Sequence, residues 1–167
     1  DPVMVATSGD KLLQDEAIDA LKNQLIPMAD IITPNLPEAS VLLGREITSV
    51  DMVNDAAREL CRLGCTNVLI KGGHLEGKES GDCLMLGDTD EVIFLPAKRI
   101  ETRNTHGTGC TLSSAIASGI AKGYDVVKAV RMAKEYITGA IDSGADYLIG
   151  KGHGPVNHFY QFGQVKQ

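Results

Sequence analysis

The sequence lacks a surplus of basic residues. Lysine and arginine together number 16, whereas aspartate and glutamate number 22, which leaves a formal net charge of −6. Proteins that bind the phosphate backbone of nucleic acids depend on basic side chains to displace counterions. The composition therefore argues against a nucleic-acid partner.

Long apolar runs are also missing, and cysteines are few. Stretches such as residues 116–121 fall far short of the about 20 residues that a membrane-spanning helix needs. No cationic segment leads into an apolar one at the start, so no signal peptide is visible. The four cysteines are too sparse for a disulfide scaffold and match no zinc template. With 43% apolar residues, we expect a soluble, cytoplasmic α/β domain that has no membrane partner.

Hydrophobic periodicity predicts helices that alternate with strands. Helices are expected over residues 9–25, 37–43, 48–63 and 108–122 and in a last segment capped by Asp125. Strands are expected over residues 30–33, 67–71, 83–86, 92–95 and 100–103. Thr48 and Asp51 resemble a capping box, and Gly87 and Asp88 form the turn of a predicted hairpin. This alternation predicts a mostly parallel sheet flanked by helices on both faces.

The segment of residues 104–111, NTHGTGCT, joins a predicted strand to a helix of small residues. Gly107 and Gly109 allow a sharp turn and a close approach of the backbone to a ligand. The amides from Gly107 to Cys110, aided by the helix dipole, would form an anion hole suited to a transferring phosphoryl group. Taken alone, the pattern also fits an ordinary helix N-terminus, and it is not a Walker A loop.

Three further polar turns follow predicted strands, at residues 1–4, 33–38 and 71–74. Ligands of open α/β sheets bind beyond the carboxyl ends of the strands, so we expect the four turns to converge on one cleft. The sequence also begins without Met, on residues typical of the end of a buried strand. We therefore expect the 167 residues to be part of a longer domain.

Five segments in this order resemble the ribokinase-like superfamily of small-molecule kinases: DPVMVATSGD, ITPNLPEA, LIKGGHLEG, NTHGTGCTLSSAIA and GKGHGPVNHFY. Within it, they are most similar to the hydroxymethylpyrimidine/phosphomethylpyrimidine kinases of thiamine biosynthesis. The resemblance implies ATP-dependent phosphorylation of 4-amino-5-hydroxymethyl-2-methylpyrimidine and then of its monophosphate. It also implies that residues 1–167 are the C-terminal, nucleotide-side portion of a single kinase domain, a homodimer when full length.

The resemblance places Cys110 where the catalytic base lies, with Gly107, Thr108 and Gly109 completing the catalytic turn. A free thiol, of pKa about 8.5, is a poor base, but a helix N-terminus lowers that value. The alternative is a buried structural thiol, which is the interpretation favoured for the other three cysteines. Cys110 is also expected to contact the substrate, together with Val3, a wall of the pyrimidine pocket.

The resemblance further implies that Asn35 and Glu38 organise Mg²⁺ and its waters, with help from Asp1. The alternative is a turn asparagine followed by a glutamate that is favourable in the first turn of a helix. Lys71 ends a buried strand, where an unpaired ammonium is costly, so a phosphate partner is expected. A salt bridge to a carboxylate at the sheet edge is the alternative for Lys71, and Asn35 is also expected near the phosphates.

The four histidines, His74, His106, His153 and His158, show no metal-ligand spacing, and we assign them no catalytic role. Two other functions remain open. A pyridoxal, pyridoxine or pyridoxamine kinase shares the fold, and the 167-residue chain alone could be an inert nucleotide-binding fragment.

Overall fold

A computed structural model describes residues 1–4, 12–72 and 81–162. The chain divides into two compact units, of which the first ends at Arg99 and the second begins at Ile100. Among the described residues, no helix combines the length and the apolar character needed to cross a membrane. The predictions for His74 and for residues 9–11 lie outside the described residues.

The described residues of the first unit form three α-helices and four strands. The elements, in chain order, are α1 Asp15–Ala20, β1 Ile31–Ile32, α2 Leu36–Leu43, α3 Val50–Cys61, β2 Asn67–Ile70, β3 Asp82–Leu86 and β4 Glu91–Leu95. After α1 the chain continues as a π-helical turn over Leu21–Leu25 and a 3₁₀ turn over Ile26–Met28. The second unit holds α4 Thr108–Ala121, α5 Val126–Gly144 and a short 3₁₀ turn at Tyr160–Phe162.

The described strands form one mixed sheet of order β1-β2-β3-β4. The α/β class is confirmed, but only β1 and β2 pair in parallel, whereas β2–β3 and β3–β4 are antiparallel. The connections explain the difference, because a parallel crossover needs a dozen or more residues. Residues 71–81 between β2 and β3 are too few for it, and residues 87–90 form the predicted tight hairpin turn.

The core of the first unit lies between the sheet and α3. All four residues of β2 are buried, and Val68 and Ile70 belong to one apolar cluster with Leu60 and Ala56 of α3. Side chains alternate between the two faces of a strand, so this cluster takes every second residue of β2. Leu69, on the opposite face, is also fully buried.

Two local predictions are wrong. The N-cap of α3 is Ser49, without a capping hydrogen bond from its side chain, so Thr48 and Asp51 form no capping box there. Residues 100–103 form no strand. The Thr102 hydroxyl instead donates to the carbonyl of Ala145, the residue directly after α5, at 2.9 Å.

In the second unit, α4 and α5 pack closely because small residues face each other. A Cβ atom at Gly119 would lie 2.9 Å from the Cβ of Ala129, so glycine permits this approach. The predicted cap of α5 is confirmed, since the Asp125 carboxylate accepts from the Lys128 amide at 2.8 Å.

The core assignment is tested by making the same substitution at two leucines. Leu60 is 0% exposed and Leu25 is 60% exposed. Leu60→Ala leaves a cavity and is expected to lower the free energy of unfolding by about 2–5 kcal/mol. Leu25→Ala is expected to change it by less than about 0.5 kcal/mol. Chemical denaturation of both variants measures the difference, and equal losses would contradict the assignment.

Candidate active site

In the first unit, parallel pairing brings the ends of β1 and β2 together. The Lys71 amide donates to the Pro34 carbonyl at 2.9 Å, and Asn35 and Lys71 form an isolated parallel bridge just beyond the two strands. The carboxyl ends of parallel strands share one edge of a sheet. Polar residues that follow the two strands are therefore neighbours in space.

Asn35 and Glu38 form a complete capping box at the start of α2. The Asn35 side chain accepts from the Glu38 amide at 2.8 Å, and the Glu38 carboxylate accepts from the Asn35 amide at 2.8 Å. The other carboxylate oxygen of Glu38 accepts from the Met4 amide at 3.2 Å. The helix-start alternative therefore describes the local geometry of this pair, while the metal role stays a prediction.

Lys71 lies between two carboxylates. Its Nζ is 2.7 Å from Asp1 Oδ1 and 4.0 Å from Glu38 Oε2, and the Thr33 hydroxyl donates to the same Asp1 oxygen at 3.3 Å. The Lys71 and Asp1 side chains are only 17% and 11% exposed, so this salt bridge is largely shielded from water. The salt-bridge alternative for Lys71 is confirmed, and its phosphate role stays a prediction.

We call Asp1, Thr33, Asn35, Glu38 and Lys71 the carboxylate–lysine cluster. Its two carboxylates and one ammonium give it a negative formal charge. Its other potential metal ligands are the amide oxygen of Asn35 and the hydroxyl oxygen of Thr33. Hard oxygen donors fit Mg²⁺, which keeps several waters and takes only one or two carboxylates from the protein. The described residues contain no group of three or more His, Cys, Asp or Glu able to hold a metal.

Val3 lies beside this cluster in the chain and has an unusual backbone. Its φ is +46°, a value that β-branched residues rarely adopt, and its side chain is 46% exposed. Its predicted place in a substrate pocket is not tested by these features.

In the second unit, the segment 104–111 forms a left-handed turn followed by α4. Gly107 is the N-cap of α4 with φ +83°, a conformation that favours glycine. A Cβ there would touch nothing within 4 Å, so the backbone angle, and not crowding, is what requires glycine. The Gly107 carbonyl accepts from both the amide and the hydroxyl of Thr111, at 2.9 and 2.7 Å.

The first turn of α4 leaves backbone donors available. Within the described residues, the amides of Gly107, Gly109 and Cys110 donate to no protein acceptor. Thr108 differs from the expectation, because its amide and its hydroxyl both bond to the Thr105 carbonyl, at 3.3 and 2.7 Å. Unpaired amides at a helix N-terminus attract anions. The turn therefore provides donors for an anion, with Thr108 excepted.

The cysteines divide by exposure. Cys110 is exposed, so the buried structural thiol is wrong for this residue. Cys65 and Cys83 are buried, and burial raises the pKa of Cys83 to about 11. An exposed thiol at a helix start can meet a substrate, whereas a buried thiol of raised pKa cannot.

Histidine 158 supports the glycine turn, a role that the sequence did not indicate. Its Nε2 is 3.0 Å from the Thr111 hydroxyl, which itself donates to the Gly107 carbonyl. The hydroxyl has one hydrogen, so it must accept from a protonated Nε2 of His158. The His106 amide also donates to the Gly154 carbonyl at 3.0 Å, which ties the same turn to the segment that follows α5.

Asn104 is the second residue that sequence reasoning missed. It is 1% exposed, and its Nδ2 donates to the carbonyls of Gly144 and Tyr147, both at 2.8 Å, and of Ala145 at 3.1 Å. It therefore fixes the segment that enters the glycine turn to the end of α5. The signal in the sequence was its position at the start of the segment 104–111, just before the glycine turn.

Comparisons with known proteins give a consistent result. A family model described as phosphomethylpyrimidine kinase matches residues 1–157. A hydroxymethylpyrimidine/phosphomethylpyrimidine kinase of Rhizobium meliloti is 51% identical over 97% of this chain, which covers 60% of that protein. The chain thus spans about 60% of the length of this relative.

Two solved structures are also similar. The ADP complex of Bacillus subtilis pyridoxal kinase has a TM-score of 0.87 at 38% identity, over 98% of this chain and 60% of the other. The phosphomethylpyrimidine kinase of Clostridium difficile has a TM-score of 0.70 at 45% identity, over 84% of this chain and 55% of the other. The fold is therefore ribokinase-like, as the sequence resemblance implied.

The role of Asn104 is tested by exchanging its donor group. Asn104→Asp is nearly isosteric but replaces the Nδ2 donor with an oxygen that faces three carbonyls. We expect it to lower the free energy of unfolding by more than Asn104→Ala does, for which about 1–3 kcal/mol is expected. Thermal denaturation of both variants measures the order, and an Asp variant as stable as the parent would contradict the role.

Proposed function

Because the chain belongs to the phosphomethylpyrimidine kinase family, we propose that it is the nucleotide-side part of an ATP-dependent kinase. The proposed reaction transfers the γ-phosphoryl group of ATP to 4-amino-5-hydroxymethyl-2-methylpyrimidine and then to its monophosphate, in thiamine biosynthesis. The observation that carries the proposal is the start of α4, where unpaired amides lie beside an exposed thiol.

The turn of Gly107, Thr108 and Gly109 is proposed to bind the transferring phosphoryl group. Phosphoryl transfer requires positioning and stabilisation of charge more than covalent chemistry from the protein. The amides of Gly107, Gly109 and Cys110 supply fixed donors for that charge, since no described acceptor competes for them. Thr108 contributes by closing the turn onto Thr105.

Cys110 is proposed as the general base. Its Sγ accepts the proton of the substrate hydroxyl as that oxygen attacks the phosphorus and the bond to ADP breaks. Its exposed position in the first turn of α4 permits contact with a substrate.

The carboxylate–lysine cluster is proposed to manage the charge of the nucleotide phosphates. Glu38, Asn35 and Asp1 would hold hydrated Mg²⁺, which when bound supplies positive charge to the phosphates. Lys71 would add a further positive charge, and its contacts with Asp1 and Glu38 hold the ammonium in place. Val3 is proposed as part of the pocket for the pyrimidine ring.

Pyridoxal kinase activity is the second candidate, which the similarity to the Bacillus subtilis pyridoxal kinase structure favours. The relative of Rhizobium meliloti, more similar in sequence, supports the pyrimidine substrate instead. Because the chain spans 60% of that relative, the substrate pocket and a homodimer are proposed for the full-length protein only.

The substrate assignment is tested by an assay that couples ADP release to a spectroscopic signal. A full-length version and the 167-residue chain are each supplied with Mg·ATP and either the hydroxymethylpyrimidine or pyridoxal. We expect a higher kcat/KM for the pyrimidine with the full-length version. A preference for pyridoxal would overturn the substrate assignment, and turnover by the 167-residue chain would exclude an inert fragment.

The base assignment is tested by Cys110→Ala in the full-length version. General-base catalysis contributes about 10²–10⁴-fold to a rate, so a loss of kcat in that range is expected. Cys61→Ala is the matched control, because Cys61 lies outside the proposed site and should leave kcat unchanged. A loss smaller than about tenfold for Cys110→Ala, with the fold intact by circular dichroism, would argue against the base role.

A further inference from the structure

One pocket at the surface of the first unit has no part in the proposed reaction. It is a cavity of about 360 Å³ where the end of α3 meets the β3–β4 hairpin. Six of its lining residues carry reactive or charged groups, namely Arg58, Cys61, Arg62, Cys65, Asp88 and Asp90. None of them belongs to the carboxylate–lysine cluster or to the glycine turn.

The end of α3 folds two thiols into this cavity. α3 ends at Cys61, and the turn after it closes through a bond from the Gly64 amide to the Cys61 carbonyl at 2.9 Å. Gly64 has φ +110°, which turns the chain so that Cys65 returns beneath the helix end. The Cys65 thiol donates to the Leu60 carbonyl at 3.6 Å, and Cys61 and Cys65 both line the same cavity.

Gly87 lies in the opposite wall of the cavity, where there is no room for a side chain. A Cβ atom at Gly87 would lie 2.4 Å from the Thr66 carbonyl oxygen and 3.8 Å from the Cys61 sulfur. A larger residue would therefore displace the backbone next to the thiols. The cavity reaches Cys61 because this position carries no side chain.

The two thiols differ in exposure and in acidity. Cys61 is partly exposed, whereas Cys65 is 5% exposed. The Cys65 side chain lowers the pKa of Cys61, although burial and the nearby Asp90 oppose this. The Cys61 side chain and burial raise the pKa of Cys65. An accessible thiol of lowered pKa beside a protected thiol is the arrangement of an attacking cysteine and a resolving cysteine.

We propose that Cys61 and Cys65 are an oxidisable pair that reacts with a small charged disulfide of the oxidised-glutathione type. The Cys61 thiolate attacks one sulfur of the disulfide, a mixed disulfide forms, and one thiol leaves. Cys65 then loses its proton and attacks the Cys61 sulfur, which releases the second thiol. Two cysteines are oxidised, one external disulfide is reduced to two thiols, and the two protons leave with those thiols.

The lining of the cavity suits this class of oxidant. Two arginines and two aspartates line the cavity beside the thiols. Arg58 and Asp90 form a salt bridge, with 3.2 Å between Nε and Oδ1. Amino-acid-derived disulfides carry both carboxylates and ammonium groups, which such a mixed lining can pair. An apolar oxidant would gain no such contacts.

The proposal is tested on the 167-residue chain, treated with oxidised glutathione and analysed by mass spectrometry. Trypsin cuts after Arg62, so Cys61 and Cys65 fall into separate peptides, residues 59–62 and 63–71. We expect these two peptides to be joined by a disulfide, with the loss of two hydrogens. Cys65→Ser is expected to hold glutathione on Cys61, and Cys61→Ser to leave Cys65 unmodified.

Two other cysteines serve as internal controls. Exposed Cys110 is expected to carry a stable mixed disulfide, while buried Cys83, whose pKa is raised to about 11, is expected to react at least about tenfold more slowly than Cys61. The proposal is overturned if glutathione stays on Cys61 in the parent as it does in Cys65→Ser, or if Cys61 reacts no faster than Cys83. Melting temperatures of the reduced variants within a few degrees of the parent establish that both fold.

Discussion

One buried carboxylate organises the sheet edge of the first unit. Glu38 is 3% exposed, and its two oxygens accept from the Asn35 and Met4 amides while Lys71 lies 4.0 Å away. An ionised group so deeply buried is stable only when hydrogen bonds and opposite charge replace its water. The same side chain therefore starts α2, holds the first residues against the sheet and fixes the electrostatic setting of Lys71. The capping box of α2 and the carboxylate–lysine cluster therefore share the carboxylate of Glu38.

In the second unit, the start of α4 is held in place although the amides of Gly107, Gly109 and Cys110 donate to no described acceptor. Gly107 turns the chain in the left-handed conformation, and Thr111 holds its carbonyl from within α4. His158 and Asn104 then fix the turn from outside, through Thr111 and through the end of α5. Support by side chains on the flanks leaves the amide side of the turn open to a ligand, as a preorganised anion site requires.

Much of this was predictable because the patterns are local. The hairpin of β3 and β4, the Asp125 cap and the glycine at the start of α4 each depend on residues a few positions apart, and each is confirmed. One of the errors concerns competition between distant partners. Residues 100–103 looked like a strand, yet Thr102 bonds to Ala145, 43 positions later, and no pattern within a short window contains that choice.

The sequence by itself determined the α/β class, the family and the residues that follow each strand, since these depend on periodicity and on short motifs. Tertiary structure alone decided which groups meet. It paired Lys71 with Asp1, 70 positions away, joined His158 to Thr111, and buried Asn104 against α5. It also exposed Cys110 while burying Cys65 and Cys83. Burial and long-range pairing follow from how whole elements pack, and the exposure of each cysteine is decided only then.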